Sequence, residues 1–342
     1  MNEELKFKSN NPQQEWDELL AEFRDHNVFQ SYNFGEYYKN RGVRTNIGRY
    51  ILLKGGKPAV IGQCRIKVLK LFNMAFLYMN GGPVYLSNDD PNLNVKNLKE
   101  FIDTLVNSIK NEYKHYYINI KINSESRIKE KLVLRELGWK IPVFQRDQPY
   151  TFILNTNKNV DDIFNNFHSK WRNQLRKSEE YNHCFDVGNN VGFVDRYISL
   201  HNEMCKIKKI GNLKLNKDDI YRLRKNMGEN LQIIVGSLDK EDVAGCMILL
   251  FNKKAYYIYA ASNDKGRKYY SSNSMFWYLI KYLNDLEIDE LDTLGVDPLN
   301  NWGGYNFKRR IGGHSFEYMG EWEHYSNLLI RIFTNFLLYL KS

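Results

Sequence analysis

Between Glu36 and Asp89 the chain carries no acidic residue, yet the same span holds Lys39, Arg41, Arg44, Arg49, Lys54, Lys57, Arg65, Lys67 and Lys70. Ammonium point charges and planar guanidinium forks are the groups that hold pyrophosphate or a nucleic-acid backbone. The band is therefore a candidate phosphate surface, with Lys39, Arg65 and Lys67 as its substrate-binding candidates; the competing reading is a solvated face. A second cluster, Lys170, Arg172, Arg176 and Lys177, lies among Ile163, Phe164, Phe167, Trp171 and Leu175. The apolar residues recur at helical spacing, so the four cations crowd the remaining surface of a helix predicted over Val160 to Tyr181. They are a second candidate band for phosphates, set against an ordinary wet face.

Other chemistries are missing. There is no Gly-x-Ser-x-Gly elbow and no lysine-bearing phosphate loop. Neither His183-Cys184 nor His314 with His324 has metal-ligand spacing, so no metal is expected. A coenzyme A cradle needs closely spaced glycines ahead of a helix, where backbone N–H groups meet a pyrophosphate. The corresponding turn, Asn263 to Ser272, offers a single Gly266. Cys64, Cys184, Cys205 and Cys246 are widely spaced and read as free thiols in a reducing compartment. The start, Met1-Asn-Glu-Glu-Leu-Lys, lacks the apolar core of a signal peptide, and no uncharged apolar run reaches the ~18 residues of a membrane span. The expectation is a cytoplasmic chain, with contact at the inner face of the membrane as a further candidate.

These residues need a scaffold of ordinary globular composition. Of 342 residues, 43% are hydrophobic and 26% charged, which argues against a disordered or fibrous chain. Lys and Arg number 49 against 40 Asp and Glu, a surplus of nine that favours anionic partners. It is not a tail: residues 1–155 hold 23 basic and 17 acidic residues, the rest 26 and 23.

Periodicity gives the order of elements. Helices are predicted at Glu15–Asn27 and Phe34–Lys39. Strands Arg49–Lys54 and Ala59–Leu71 are joined by Gly55-Gly56-Lys57-Pro58. Strand Ala75–Met79, helix Val95–Tyr113, strand Tyr116–Ile122 and helix Arg127–Leu137 follow. The second half repeats the order: hairpin Leu231–Leu238 and Val243–Phe251, strand Ala255–Ala261, helix Asn273–Leu286, strand Glu290–Leu294, short helix Asn301–Arg310, then strand Ser315–Glu321. A boundary near 155 divides domains 1–155 and 156–342. The second contains an inserted helical segment at about 194–227 and ends in an amphipathic helix, in which Leu328, Leu329, Ile332, Phe333, Phe336, Leu337 and Leu340 recur at helical spacing. That last helix is either docked on the core or an interfacial membrane contact through 326–340.

The second half also carries a likeness in its residues. Tyr257-Ile-Tyr259-Ala-Ala-Ser262, Leu291-Asp292-Thr-Leu-Gly295, Gly304-Tyr-Asn-Phe307-Lys308-Arg-Arg-Ile-Gly312-Gly313 and Glu317-Tyr-Met-Gly320-Glu321 resemble the FemABX-type peptidyltransferases. Phe29-Gln30-Ser31 with Phe34-Gly35 resembles the glutamine-to-aromatic motif of that family, and Gly82-Pro83 its first-domain strand end. The resemblance implies an α+β fold of two GNAT-like domains, each a mixed, mostly antiparallel sheet flanked by helices. It implies a transferase that passes an amino acid from aminoacyl-tRNA to an amine of a cell-wall precursor. On that reading Lys308 stabilises charge on the reacting ester, beside Phe307; Tyr259 lies near the acceptor; Asp292 and Gly295 fix a strand end; and Lys39 contacts phosphate. A first-domain acid of the family is replaced here by Ile122-Asn123, so no general base is assigned.

Three functions follow as expectations. The first is aminoacyl-tRNA-dependent transfer, with no bound cofactor, to a UDP- or lipid-linked precursor of peptidoglycan or an envelope glycan. The second is N-acyl transfer to an amino sugar from acyl-CoA or an acyl carrier protein. The third is a non-enzymatic RNA- or membrane-binding protein.

Overall fold

The computed structural model describes residues 4–7 (backbone), 13–41, 45–146 and 148–340, apart from the Asn212 side chain. Arg44 of the acid-free band lies outside them. In chain order the elements are β1 (Glu4–Phe7), α1 (Gln13–Ala21), α2 (Tyr32–Asn40), β2 (Thr45–Lys54), β3 (Lys57–Leu69), β4 (Met74–Asn80), α3 (Pro91–Glu112), β5 (His115–Glu125) and α4 (Ile128–Glu136). Next come β6 (Tyr150–Asn155), α5 (Val160–Asn166), α6 (Ser169–Ser178), β7 (Cys184–Gly188), α7 (Val191–Ile207) and α8 (Lys217–Met227). Then follow β8 (Leu231–Leu238), β9 (Glu241–Phe251), β10 (Lys254–Ser262), α9 (Asp264–Lys268), α10 (Ser271–Asp285), β11 (Glu290–Asp292), α11 (Trp302–Lys308), β12 (His314–Tyr325) and α12 (Leu328–Tyr339).

The chain forms two compact units. Unit 1 is Met1–Pro149 with Glu317–Ser342; unit 2 is Tyr150–Phe316. The sheet of unit 1 runs β1-β2-β3-β4-β5-β12. Every pairing is antiparallel except β4 with β5, which is parallel. A parallel pair needs a crossover, and α3 supplies it. Asp90 caps α3 by accepting from the Asn92 N–H, Pro91 occupies its first turn, and Leu98, Phe101, Ile102, Leu105 and Ile109 line its buried face. Gly55 and Gly56 both take positive φ (57° and 79°), as a two-residue hairpin with matched twist requires.

Unit 2 repeats the plan. Its sheet runs β7-β8-β9-β10-β11-β6, antiparallel except for the parallel pair β10 and β11. Here α9 and α10 make the crossover, and α10 buries Met275, Phe276, Leu279, Ile280 and Leu283 against α5, α6 and the sheet. The expected α+β class, two GNAT-like units with mixed, mostly antiparallel sheets, is the observed one.

Three readings of the sequence change. First, the closing strands are exchanged relative to the predicted boundary at 155. β6, whose residues fall within the predicted domain 1–155, pairs with β11 (Asp292 with Ile153, Glu290 with Asn155) and belongs to unit 2. β12 from Glu317 onward, predicted within 156–342, pairs with β5 (Gly320 with Ile122, Trp322 with Ile120) and belongs to unit 1. Both β5 and β11 need an antiparallel neighbour to cover a bare edge; the sequence reading contains no strand at 150–155, and for β12 periodicity shows that a strand exists but not which edge it takes.

Second, the single helix predicted over Val160–Tyr181 is two. Phe167 and His168 are non-helical (ψ 143° and 140°), and the His168 ring caps α6 by accepting from the Lys170 N–H. The apolar stripe continues across the break, which is why periodicity alone hides it. The helices predicted in the insert are present as α7 and α8.

Third, α12 is docked by its polar residues. Thr334 and Asn335 are its buried positions, while Leu328, Leu329, Ile332, Phe333 and Phe336 face outward. The cause is Glu323, fully buried on β12, which accepts from Arg331 Nε, Asn335 Nδ2 and the Tyr117 hydroxyl. A buried carboxylate must be met by donors, and these hold the helix with its apolar side out. No helix among the described residues is long and apolar enough to cross a membrane.

Candidate active site

In unit 2 the site starts from a strand that loses its neighbour. β10 pairs with β9 along its whole length but with β11 only over Lys254–Tyr256. Beyond Tyr256 and Asp292 the parallel strands part. A bulge between Tyr257 and Tyr259 shifts the register of β10 against β9, and bulges re-aim the side chains that follow. The opening is a cavity of about 320 Å³ walled by Tyr257–Ser262, by Met204 of α7 and Lys208 just after it, by Ser272 and Met275 of α10, and by Phe307 and Lys308 of α11.

Lys308 and Tyr259 therefore line one cavity. The Lys308 ammonium donates to three carbonyls, Thr293 (2.7 Å), Leu294 (2.9 Å) and Gly295 (3.1 Å). Removal from water pushes its pKa down to about 8, opposed by nearby Asp292. Asp292 is buried and accepts from the Thr151 hydroxyl (2.6 Å) and the Leu294 N–H (2.8 Å). Asp292, Gly295 and Lys308 together shape the loop after β11, where Leu294 holds φ 52°. Phe307 packs edge-on to Phe276 (5.6 Å between centroids) and against Trp171 (5.9 Å); it anchors α11 while bordering the cavity. Tyr259 is part-exposed at the cavity wall, with its ring edge-on to buried His201 (6.1 Å).

A second cavity of about 250 Å³ adjoins the first, sharing Ser272, Gly303 and Phe307 with it. It is bordered by Trp171 and Gln174 of α6, Asn273 at the start of α10, and Asn306 and Arg310 at the end of α11. Here Trp171 Nε1, Asn273 Nδ2, Arg310 Nε and Asn306 Oδ1 are buried without a hydrogen-bond partner in the protein. Three donors and one acceptor, beside the N-terminus of a fifteen-residue helix, suit an anionic or carbonyl-rich ligand. Sequence reading missed this group because Trp171 lies on the apolar stripe and Arg310 ends an Arg pair; the run Lys308-Arg-Arg was the available signal. The four cations singled out on the same stretch do not line either cavity. Arg172 donates to the Asn165 carbonyl (2.5 Å), Arg176 lies over the Phe164 ring, and Lys170 and Lys177 are exposed.

Gly266 explains the missing glycine cradle. A Cβ on it would sit 2.1 Å from the Val243 carbonyl oxygen, and its N–H donates to Asn263 Oδ1 at 2.9 Å. This glycine exists for close approach to β9, and its amide is already used.

In unit 1 the acid-free band resolves into unlike residues. Arg49 is buried and structural, donating to Gln63 Oε1 and Glu36 and stacking on Tyr32. Lys39 is half-exposed and pairs with Glu36 at 3.4 Å. Arg65 lies between the Tyr38 and Tyr78 rings (5.2 and 5.5 Å) with no carboxylate partner among the described residues, and Arg146 covers Tyr78 at 3.9 Å. Lys67 is exposed. Gln30, at the centre of the glutamine-to-aromatic motif, is fully buried and ties β3 to β4 by bonds to Gln63 and Asn80. Among the described residues no group of three His, Cys, Asp or Glu could hold a metal.

Two units of this topology, with the second unit's cavity between parted parallel strands, define the tandem GNAT-like class. Residues 199–337 match the sequence model of the FemAB family. A search of curated proteins finds no sequence match. Among solved structures, a crystal structure of FemX is similar over 100% of both chains, with a TM-score of 0.76 at 16% identity. L-PGS from Bacillus licheniformis is similar over 98% of this chain and 99% of its own, with a TM-score of 0.53 at 10% identity. A tandem GNAT protein from the clavulanic acid biosynthesis pathway is similar over 95% and 99%, with a TM-score of 0.53 at 9% identity.

Proposed function

We propose that the chain is an acyltransferase that forms an amide bond, and that it moves an amino acid from aminoacyl-tRNA to an amine of a peptidoglycan or envelope-glycan precursor. The observation that carries this is the cavity between parted β10 and β11, which puts a desolvated lysine next to space for an ester. The amine lone pair attacks the ester carbon, an oxyanion forms, the carbon–oxygen bond to the ribose then breaks, and the proton shed by the amine nitrogen ends on the departing ribose oxygen. Lys308 supplies a fixed positive charge to that oxyanion in a site partly closed to water. Tyr259 orients the acceptor, and the donor-rich second cavity receives the tRNA-borne end of the ester.

The FemAB match over 199–337 and the likeness to FemX support a tRNA donor. The crowded Gly266 turn weighs against a coenzyme A pyrophosphate there. Arg65, its fork without a carboxylate, is the unit 1 residue best suited to the precursor phosphates.

The test offers the protein labelled amino acid on charged tRNA, labelled acyl-CoA and labelled acyl carrier protein in parallel, with total envelope precursors as acceptor. Label should pass from tRNA alone, in a product stable to mild alkali as an amide is. Product from acyl-CoA or carrier protein and none from tRNA would replace this reading with N-acylation of an amino sugar.

A further inference from the structure

Unit 1 exposes apolar side chains on two separate segments. One is the outer side of α12, where Leu329 is 78% exposed and Leu328, Ile332, Phe333 and Phe336 lie beside it. The other is the turn Lys70–Phe72 between β3 and β4, where Leu71 is 89% and Phe72 63% exposed. Hydrogen bonds place both at the same end of β5. The Asn73 carbonyl accepts from the His115 N–H (3.1 Å), and the Ser326 N–H, just ahead of α12, donates to the Tyr116 carbonyl (3.0 Å).

Lysines outnumber carboxylates around this surface. Lys67 and Lys70 on the turn side and Lys114 before β5 are exposed and lack a carboxylate partner among the described residues. Residues 326–340 contain no acid. Glu112 is the nearest carboxylate in sequence, and the Tyr113 hydroxyl donates to it at 2.6 Å.

We propose that this face docks on an anionic lipid bilayer. Twelve residues of helix span about 18 Å, short of the ~30 Å hydrocarbon core, so α12 lies in the interface plane with its apolar side down. The lysines meet lipid phosphates. A second copy of the chain is the poorer occupant, because two-fold pairing would set Lys67, Lys70 and Lys114 of one copy against their equivalents. The docking concerns where unit 1 sits and does not depend on which reaction unit 2 runs.

The test is sedimentation of the full chain with vesicles of phosphatidylglycerol and phosphatidylcholine, against phosphatidylcholine alone, over a range of salt. Binding should favour the anionic vesicles and weaken with salt, with Lys70→Glu and Lys114→Glu each losing about fivefold. The pair Leu71→Ser/Phe72→Ser, and separately Ile332→Ser/Phe333→Ser, should lower binding about tenfold or more. All four side chains are exposed, and circular dichroism checks that each variant is folded. Leu299→Ser, an equally exposed site in unit 2, should bind as the parent does. Equal binding to both vesicle types, or full binding by the serine variants, would overturn the proposal. So would a stable dimer in light scattering that these variants dissociate while vesicles bind none of the chains.

Discussion

Lys308 reaches from α11 to three carbonyls of the loop after β11, so its charge both fastens the cavity wall and fills the cavity with positive potential. Lys308→Met should lower turnover about 10²-fold or more with folding intact; turnover like that of the parent would remove Lys308 from the chemistry. Because burial pushes this pKa down to about 8, the ammonium is lost as pH rises through that value. The pH–rate profile should therefore fall above about pH 8, and the residual activity of Lys308→Met should lack that limb. A limb unchanged in the variant would assign it to another group. Gly266→Ala tests the close approach to β9: the added carbon meets a backbone oxygen that cannot rotate away. The expected cost is about 2–3 kcal/mol, read as a lower midpoint in urea. At this scale the sequence is informative where residue type and motif mark a position, as at Lys308 and Tyr259, which line one cavity. It is uninformative where burial decides the role. Arg49 and Arg65 look alike in the acid-free band, yet one is spent on Gln63 and Glu36 and the other is not.

The elements show the same divide. The hairpins, both crossover helices and the helical insert are legible because their period and turn residues agree. The break between α5 and α6 is not, since the stripe runs through it and His168 serves as an unusual cap. The facing of α12 is hidden for another reason: periodicity finds the apolar stripe, but Glu323 on a distant strand decides which side is buried. Arg331→Met should test that cause. It leaves the Glu323 carboxylate short of a charged donor, and a loss of about 2 kcal/mol or more is expected, with earlier exchange of α12 amides. On β12, His324 stacks on Tyr116 and lies near Trp139, and burial holds its pKa down to about 4, with Lys110 adding to the effect. Its folded pKa is below the unfolded value, so the unfolded chain binds the extra proton. Stability should thus fall as pH drops from about 6.5 to 4, by at most ~1.4 kcal/mol per pH unit from this one group. Denaturation of His324→Phe should lose that component; an unchanged slope would assign it elsewhere.

At the scale of the molecule, two sheets of one design are closed by strands from opposite ends of the expected order. Unit 2 is a single continuous stretch, whereas unit 1 is assembled from two stretches separated by the whole of unit 2. Removing the chain after Phe316 should strip β5 of β12 and of the Trp322 and Met319 side chains that fill its core. Hydrogen exchange should then show β4 and β5 amides unprotected and β8–β10 amides unaffected. Equal loss in both units would mean that they unfold as one. The same arrangement sets an order on synthesis. A ribosome releases every residue of unit 2 before it releases the strand that completes unit 1. Until then the β5 edge waits without its partner, a bare template for the wrong strand. Slow translation of the codons for β12 would lengthen that exposure, so the rate at which those codons are read weighs on aggregation.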